Sequence, residues 1–349
     1  MYRLMVYFIF YVYFTFSLPT AYLHENLFEE YVAQFKKPYR KGSEEYLYRY
    51  KNFLATLQRI KQRNFDEHKV LAFGDNKTKA VYRVNKFSDL SQQEFRGTYL
   101  SHISSEGTHA TDESKLILQS DVTQLPDKFD WRTANVITAV KNQGKCGSCW
   151  AFSTVETIES AWAIATKRPI VLSPQQVIDC NSFGYGCAGG NPHETLSWLN
   201  KTMEKLVPES VYPYHHSMGK CLNENMAKVY VGVDDYMFHG CSKLCPSVER
   251  KMMIPALLKY GPLIVSVDAT SWQDYMGGVI QHHCSHDQPN HAVQVVGYDM
   301  TGKIPFWIVR NSWGRDFGYD GYLRIKIGGN LCGVANSVAV VKSVFGPGS

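Results

Sequence analysis

Three features of the 349-residue chain predict an α+β fold. Apolar residues recur at helical spacing through the first half, short strand-like segments between Gly, Pro and Asp turns fill the chain beyond about residue 225, and a polar aperiodic stretch divides an N-terminal piece from the rest. A helical half followed by a strand-rich half implies a cleft between the two. With 44% hydrophobic and 20% charged residues, the chain can build one large domain or two modest ones.

Residues 1–21, MYRLMVYFIFYVYFTFSLPTA, carry one basic residue, Arg3, then an uncharged apolar and aromatic run to about Phe16 that ends near small residues. This is the pattern of a secretory signal, cleaved after Ser17 or Ala21. A membrane anchor is the rival reading, but the run is shorter than the roughly 20 apolar residues needed to span a bilayer, and no basic stop-transfer cluster follows. The mature form is therefore expected not to be membrane-bound.

In ENLFEEYVAQF, the residues Leu27, Phe28, Tyr31, Val32 and Phe35 share one helical face; EEYLYRYKNFLATLQRIKQRN repeats the pattern with Leu47, Tyr50, Phe53, Leu54, Leu57 and Ile60. VYRVNKF reads as a short strand, and Ser91 with Glu94 forms a capping box that opens a short helix. From His102 to about Gln124 the chain is polar and aperiodic, the composition of an exposed connector that proteases cut. No cysteine precedes Cys146, so cutting there leaves the N-terminal piece without a disulfide tether. The expected organisation is a signal over 1–21, a releasable segment over 22–124 and a main domain over 125–349.

The main domain opens at LPDKFDWR. Ala151, Val155, Ile158 and Trp162 place a long helix starting at or just before Cys149, and SPQQV starts another, with Ser173 as cap, Pro174 at the first position and Gln176 closing a box. PLIVSV, HAVQVVGY, PFWIVRN and GYLRIKI follow as strands. Charge gives nucleic acid no support as a partner: the net +5 hides an even distribution, 20 Lys+Arg against 18 Asp+Glu over 125–349, with no basic stripe.

All nine cysteines lie in this domain, so in an oxidising route at least one thiol stays unpaired within the chain. KNQGKCGSCWAF (141–152) sets two of them three positions apart. The pair is open to four readings: metal ligands, a redox couple, a staple or a nucleophile. A thiol attacks only as thiolate, which a helix N-terminus and a nearby imidazolium favour. Cys149 sits where the helix begins and needs a histidine delivered by folding and a third group to orient that ring.

C-G-S-C-W at Cys146–Trp150 with a distant histidine resembles the papain and cathepsin family of cysteine proteases, and the resemblance extends over 125–349; VDATSWQDYMGGVIQHHC is most similar to one branch of it. It implies a papain-like two-lobed fold, with a helical left lobe and a β-barrel-like right lobe, preceded by a small α-helical prosegment. It also implies Cys149 as nucleophile, His291 in NHAVQVVGY as base and acid, Asn311 in NSWG orienting the ring under the shield of Trp313, and Gln143 as oxyanion donor. His291 lies 142 residues after Cys149, within the family's window of about 130–150, and Asn311, at 162, lies beyond it, as a modest loop insertion would allow.

The family's disulfides correspond to Cys146–Cys187, Cys180–Cys221 and Cys284–Cys332, which leaves Cys241 and Cys245 for a small local loop and Cys149 free. GCAGGNP resembles the substrate-binding edge, with Gly189 and Gly190 admitting an extended peptide and Ala188 where asparagine is usual. Asn191, Pro192, Ser266, Ala292 and Ser337 correspond to the second specificity pocket, Ser266 being polar where an apolar residue is common. Glu45, Arg49, Phe53, Ile60 and Asn64 follow the helical motif of the inhibitory prosegment, with Thr56 in place of asparagine; Asn85, Phe87 and Asp89 follow its second motif, with Arg83 in place of glycine.

The implied protein is a lysosomal or secreted cysteine endopeptidase made as a zymogen. It is a monomer that acts on polypeptide substrates, is inhibited by its own prosegment and by cystatin-like proteins, and needs no metal or organic cofactor. An exopeptidase or a catalytically silent peptide binder are the alternatives.

Blander readings stand beside these. A thioredoxin-type couple lacks its βαβ context, and His282, His283, Cys284 and His286 lack the regular spacing of a zinc site. His215 and His216 read as surface residues, because the segment between Tyr214 and Cys221 is too short for an occluding loop. Trp131 and Trp150 suit packing as well as a site. Asn76 and Asn200 begin N-K-T sequons and are glycosylation candidates.

Overall fold

The structure, a computed structural model, describes residues 23–70, 79–103, 125–222, 229–241, 246–286 and 288–347. The expected signal, the sequon at Asn76 and most of the connector lie outside the described residues. No helix among those described is long and apolar enough to cross a membrane.

The N-terminal piece packs helix α1 (23–34) against the long α2 (Glu44–Val70). Their core is aromatic: Phe28, Tyr31, Tyr46 and Phe53 are buried, with Tyr39, Tyr50 and Leu57 packed around them. Leu47, expected on the apolar face, is 59% exposed instead. Asn64 clasps strand β1 (Val81–Tyr82), donating to the Tyr82 carbonyl at 2.9 Å and accepting from its N–H at 3.1 Å. The capping box of α3 (Gln92–Tyr99) is complete, with Ser91 and Glu94 bonded reciprocally.

In the main domain, α4 (Cys149–Thr166), α5 (Pro174–Cys180) and α6 (Pro192–Thr202) form one lobe around Trp150, Ile158, Leu196 and Leu199. The box expected at α5 is half formed: Ser173 accepts from the N–H of Gln176, but the Gln176 side chain bonds the Lys205 carbonyl and the Val207 N–H. The other lobe is an antiparallel seven-stranded sheet. In order it runs β3 (Gly232–Gly240), β9 (Ser337–Phe345), β4 (Leu263–Val267), β6 (His291–Asp299), β7 (Phe306–Arg310) and β8 (Tyr322–Lys326), with β2 (Lys128–Asp130) on β6. The lobes therefore do not follow chain order, because β2 precedes the helices and joins the far sheet. A short turn and a π-helical segment, Glu249–Met253, lead into α7 (Ile254–Tyr260) beneath the sheet.

The prosegment enters the second lobe's core rather than resting on it. Its Tyr82, Phe87, Phe95 and Leu100 share one cluster with Trp272, Tyr275 and Trp313, and β1 pairs antiparallel with β5 (Tyr275–Gly277). The disulfides Cys146–Cys187, Cys180–Cys221 and Cys284–Cys332 are present. Cys241 is disulfide-bonded as well, and Cys245 lies outside the described residues. Cys149 is the free cysteine among those described.

Candidate active site

Cys149 is the first residue of α4, with Ser148 as an N-cap that makes no side-chain cap bond. The open N-terminus thus turns its positive end toward the sulfur. Across the cleft, His291 opens β6 and Asn311 follows β7 directly. The Ala292 N–H, one residue past His291, reaches the Cys149 Sγ at 3.4 Å. Cys149, His291, Asn311 and Gln143 are all fully buried.

His291 Nε2 and Asn311 Oδ1 are 2.8 Å apart. The same oxygen accepts from the Ser312 N–H at 2.8 Å, so Nε2 is the donor and Nδ1, buried without a hydrogen-bond partner, is the ring's basic atom. Trp313 stacks on the imidazole at 4.7 Å between centroids and 29°, and Trp272 meets it edge-on at 5.9 Å. Indole thus covers the His291–Asn311 bond. Gln143 is held by Ser312, which donates to its Oε1 at 2.6 Å, and by Tyr214, whose hydroxyl donates to its carbonyl at 2.6 Å.

The prosegment occupies this constellation. The Tyr99 carbonyl accepts from the Gln143 side-chain amide at 3.2 Å, beside that amide's 2.9 Å bond to the Cys146 carbonyl. Ser101 Oγ lies 3.2 Å from Cys149 Sγ, and the Ser101 N–H donates to the Asn290 carbonyl at 2.8 Å. His102 bridges Gly189 in parallel register, and Ile103 is buried against Cys149 and Ala292. The expected exposed connector thus begins later than His102: residues 102–103 lie in the cleft, because the first apolar residue after the polar dyad has the thiol as its pocket. Beside this crossing is a cavity of ≈ 670 Å³ lined by Arg96, Leu100, Ser101, Ala188, Asp268 and Asn290.

Sealing the site sets its charge state. Burial pushes the Cys149 thiol above its ordinary value, against the hydrogen bonds from Ser101 and Ala292 that favour the thiolate. Burial pushes His291 down to about 4, opposed by Asn311. Both shifts favour the neutral partners, so the pair is held un-ionised while the prosegment excludes water.

The remaining candidates divide. Gly189 has φ +137°, and a Cβ there would meet the His102 carbonyl oxygen at 2.4 Å, so a side chain would block the approaching strand. Gly190 is required for another reason, since its Cβ would strike the Trp150 ring at 2.5 Å. Asn191 is buried and spends its side chain capping α6, with Pro192 at the first helical turn. Ser266 and Ala292 face each other across β4 and β6, both buried, and Ser337 pairs with Gly240 at the start of β9.

Trp131 donates to the Leu257 carbonyl and Trp150 to the Gly186 carbonyl, both as packing residues. Asn200 lies within α6, its amide donating to the Asp234 carbonyl at 2.7 Å. Ser101, Tyr99, Asn290, Ser312 and Tyr214 were not legible as site residues. Asn290 and Ser312 adjoin the motif residues His291 and Asn311 but carry no signal of their own, Tyr99, Ser101 and Tyr214 lie outside any motif, and folding brings all five to Gln143 and Cys149.

The fold and site define a thiol peptidase closed by its own N-terminal segment. A model described as papain family cysteine protease matches residues 125–342, and one described as cathepsin propeptide inhibitor domain (I29) matches residues 28–95. The chain belongs to the papain family of cysteine proteases. It is 45% identical over 273 residues to cathepsin O of Mus musculus, covering 77% of this chain and 84% of that protein, and 44% identical over 269 residues to cathepsin O of Homo sapiens, covering 77% and 82%. Among solved structures, a recombinant stem bromelain precursor superposes with TM-score 0.75 at 28% identity over 92% of this chain and 99% of that one. Digestive procathepsin L 3 of Tenebrio molitor gives 0.75 at 29% over 91% and 98%.

Proposed function

We propose that this cysteine protease zymogen matures, by loss of residues 22–124, into an endopeptidase of 125–349 that acts in lysosomes or after secretion. Cys149 is its nucleophile. On release of the prosegment, water re-enters, the burial that opposes charge is relieved, and the Cys149 proton passes to His291 Nδ1. The thiolate adds to the scissile carbonyl, and the oxyanion takes hydrogen bonds from the Gln143 side chain and the Cys149 backbone N–H. His291 then protonates the departing amine as the C–N bond breaks and the thioester forms. Water, giving its proton to the same ring, hydrolyses the thioester and restores the thiol. Asn311 keeps Nε2 occupied so that Nδ1 stays directed to the reaction.

The observation that carries this reading is the prosegment's path: Tyr99 on Gln143, Ser101 on Cys149 and His102 on Gly189 trace an extended chain through the site. Upstream, Lys86 of the same chain bonds the Trp313 carbonyl and reaches Asp316 at 2.7 Å, so chain extends on both sides of the thiol. No cysteine precedes Cys146, so no disulfide-tethered remnant of the prosegment can stay behind to block one end of the cleft, which favours endopeptidase over exopeptidase action. The deciding experiment processes the chain in acid and offers an internally quenched peptide blocked at both ends, alongside a thiol-reactive epoxide label. Cleavage of the blocked peptide, with label lost in Cys149→Ser, is expected. Cleavage confined to peptides with a free terminus would make it an exopeptidase, and label persisting in Cys149→Ser would displace the nucleophile. Absence of label from the processed wild type would favour the silent peptide binder.

A further inference from the structure

The two donors assigned to the oxyanion come from different segments: the Gln143 side chain from the strip before Cys146, the Cys149 backbone N–H from the first turn of α4. Their spacing has to hold while the scissile carbonyl becomes tetrahedral. The Gln143 backbone is clasped from both lobes. Its N–H donates to the Ser312 carbonyl at 2.8 Å on the second lobe, and its carbonyl accepts from the Tyr214 hydroxyl at 2.6 Å on the first. Tyr214 stands between α6 and β3, in a segment tied to α5 by the Cys180–Cys221 disulfide.

The same phenol oxygen lies 3.2 Å from the Ser148 hydroxyl. A phenol carries one proton and a carbonyl can only accept, so Tyr214 donates to Gln143 and accepts from Ser148. The 3.4 Å approach of the Ser148 hydroxyl to the Cys146 carbonyl is then its weaker contact. This arrangement accounts for an N-cap serine without a cap bond: the Ser148 hydroxyl is turned to Tyr214 rather than to the first-turn N–H groups of α4. Burial pushes the phenol up to about 12, so it keeps the proton it donates. One oxygen thus joins the Gln143 peptide to the residue immediately before Cys149.

The ring is held independently of its hydroxyl. Phe152 of α4 meets it edge-on, with 4.9 Å between centroids at 86°, and His216 packs against it at 4.6 Å. His216 in turn fills the space that Gly144 leaves open, since a Cβ there would meet its Nδ1 at 2.5 Å. Resting on the catalytic reading above, we propose that Tyr214 is a positioning residue: by bridging the Gln143 carbonyl and the Ser148 hydroxyl, it sets the distance between the two oxyanion donors. It acts through Gln143 and Cys149 and not on the reacting atoms. Its contribution falls where charge develops on the carbonyl oxygen, and not where the peptide binds or the thiol ionises.

The test measures kcat and KM on a blocked peptide, and the rate at which iodoacetamide alkylates Cys149, in processed wild type, Tyr214→Phe, Ser148→Ala, Gln143→Ala and each of the first two combined with Gln143→Ala. Alkylation forms the C–S bond as iodide leaves and passes through no oxyanion, so it reads the thiol and the intactness of the cleft alone. Tyr214→Phe is expected to lower kcat about tenfold and Ser148→Ala about threefold, with KM and the alkylation rate within about twofold of wild type. In the Gln143→Ala background, where one donor is already gone, each is expected to cost less than about twofold. Unchanged kcat in Tyr214→Phe, or an equal loss with and without Gln143, would overturn the proposal, as would a fall in alkylation that matches the fall in kcat. Should Tyr214→Phe not fold, Ser148→Ala decides by the same comparison. Peptide cleavage that survives full alkylation of Cys149 would overturn the catalytic reading, and this proposal with it.

Discussion

Two interfaces in this molecule are built from similar parts and behave differently. The prosegment grips the second lobe through ions at its margin: Arg59 and Arg63, one turn apart on α2, converge on the buried Asp274 at 2.6 and 2.9 Å, and their own side chains are 16% and 11% exposed. The two lobes grip each other through Arg310 and Glu156, which water barely reaches. Neither contact is covalent among the described residues, since the three located disulfides each close within one lobe. An ionic contact whose cations are partly wetted is weakened by salt, whereas a sealed one is screened much less. One interface is made to part and the other to persist.

The most severe way to probe that contrast is to remove the chemistry that parts the first interface. Cys149→Ala is expected to abolish peptidase activity, a loss on the order of 10⁶ in kcat for a nucleophile of this type, and to leave the zymogen intact in acid wherever processing is its own work. Gel analysis alongside peptide hydrolysis checks both. Gln143→Ala is expected to reduce kcat of the processed enzyme by about 10²–10³ with little change in KM, because its donor is needed most when the oxyanion forms.

Asp274→Ala leaves two guanidinium groups facing an emptied site and is expected to weaken prosegment docking by roughly 3–5 kcal/mol. Epoxide labelling of unprocessed zymogen at pH 7 reads this directly: rapid labelling is expected in the variant and slow labelling in wild type. Equal labelling would erase the distinction between the two interfaces.

Acid sharpens the comparison, because the buried groups pull in opposite directions. His291 is pushed down to about 4, so the docked state resists its protonation. That contribution is present above about 6.5 and fades as pH falls toward 4, loosening the prosegment. Glu94 acts the same way: burial raises its carboxyl, but Ser91 and Arg49 outweigh that and hold it below the usual range. Glu67, on the prosegment and 4.0 Å from His283, is pushed up to about 7 by burial, so its contribution is present in acid and lost as pH rises through 7. Glu67→Gln is expected to tighten docking near pH 7.5 and leave it unchanged at pH 5, the smallest effect of the series, measured by the rate at which unprocessed zymogen labels with the epoxide at the two pH values.

Particular residues show how far reading the chain could go. Helix α2, the capping box at Ser91, the start of α4 at Cys149 and the strand at His291 follow from periodicity and capping, which are local properties. The prosegment's departures from its motif became intelligible only in three dimensions. Thr56 is fully buried where asparagine is usual, while Asn52 on the preceding turn bonds the Asp89 carbonyl and Glu94, and Arg83 is exposed without a positive φ, so no glycine is needed there. Asn191 also caps α6 with its side chain, a structural role that its place in the motif did not announce.

The amino-acid order by itself determined the zymogen organisation, the family and the candidate nucleophile, because helical starts, motif spacing and an odd cysteine are written in neighbouring residues. Tertiary structure alone decided that Ser101 covers the thiol, that Asp274 anchors the prosegment and that Arg310 meets Glu156 behind the site. Burial and charge balance depend on what distant segments bring to the same point, and these residues have no local pattern that reports it.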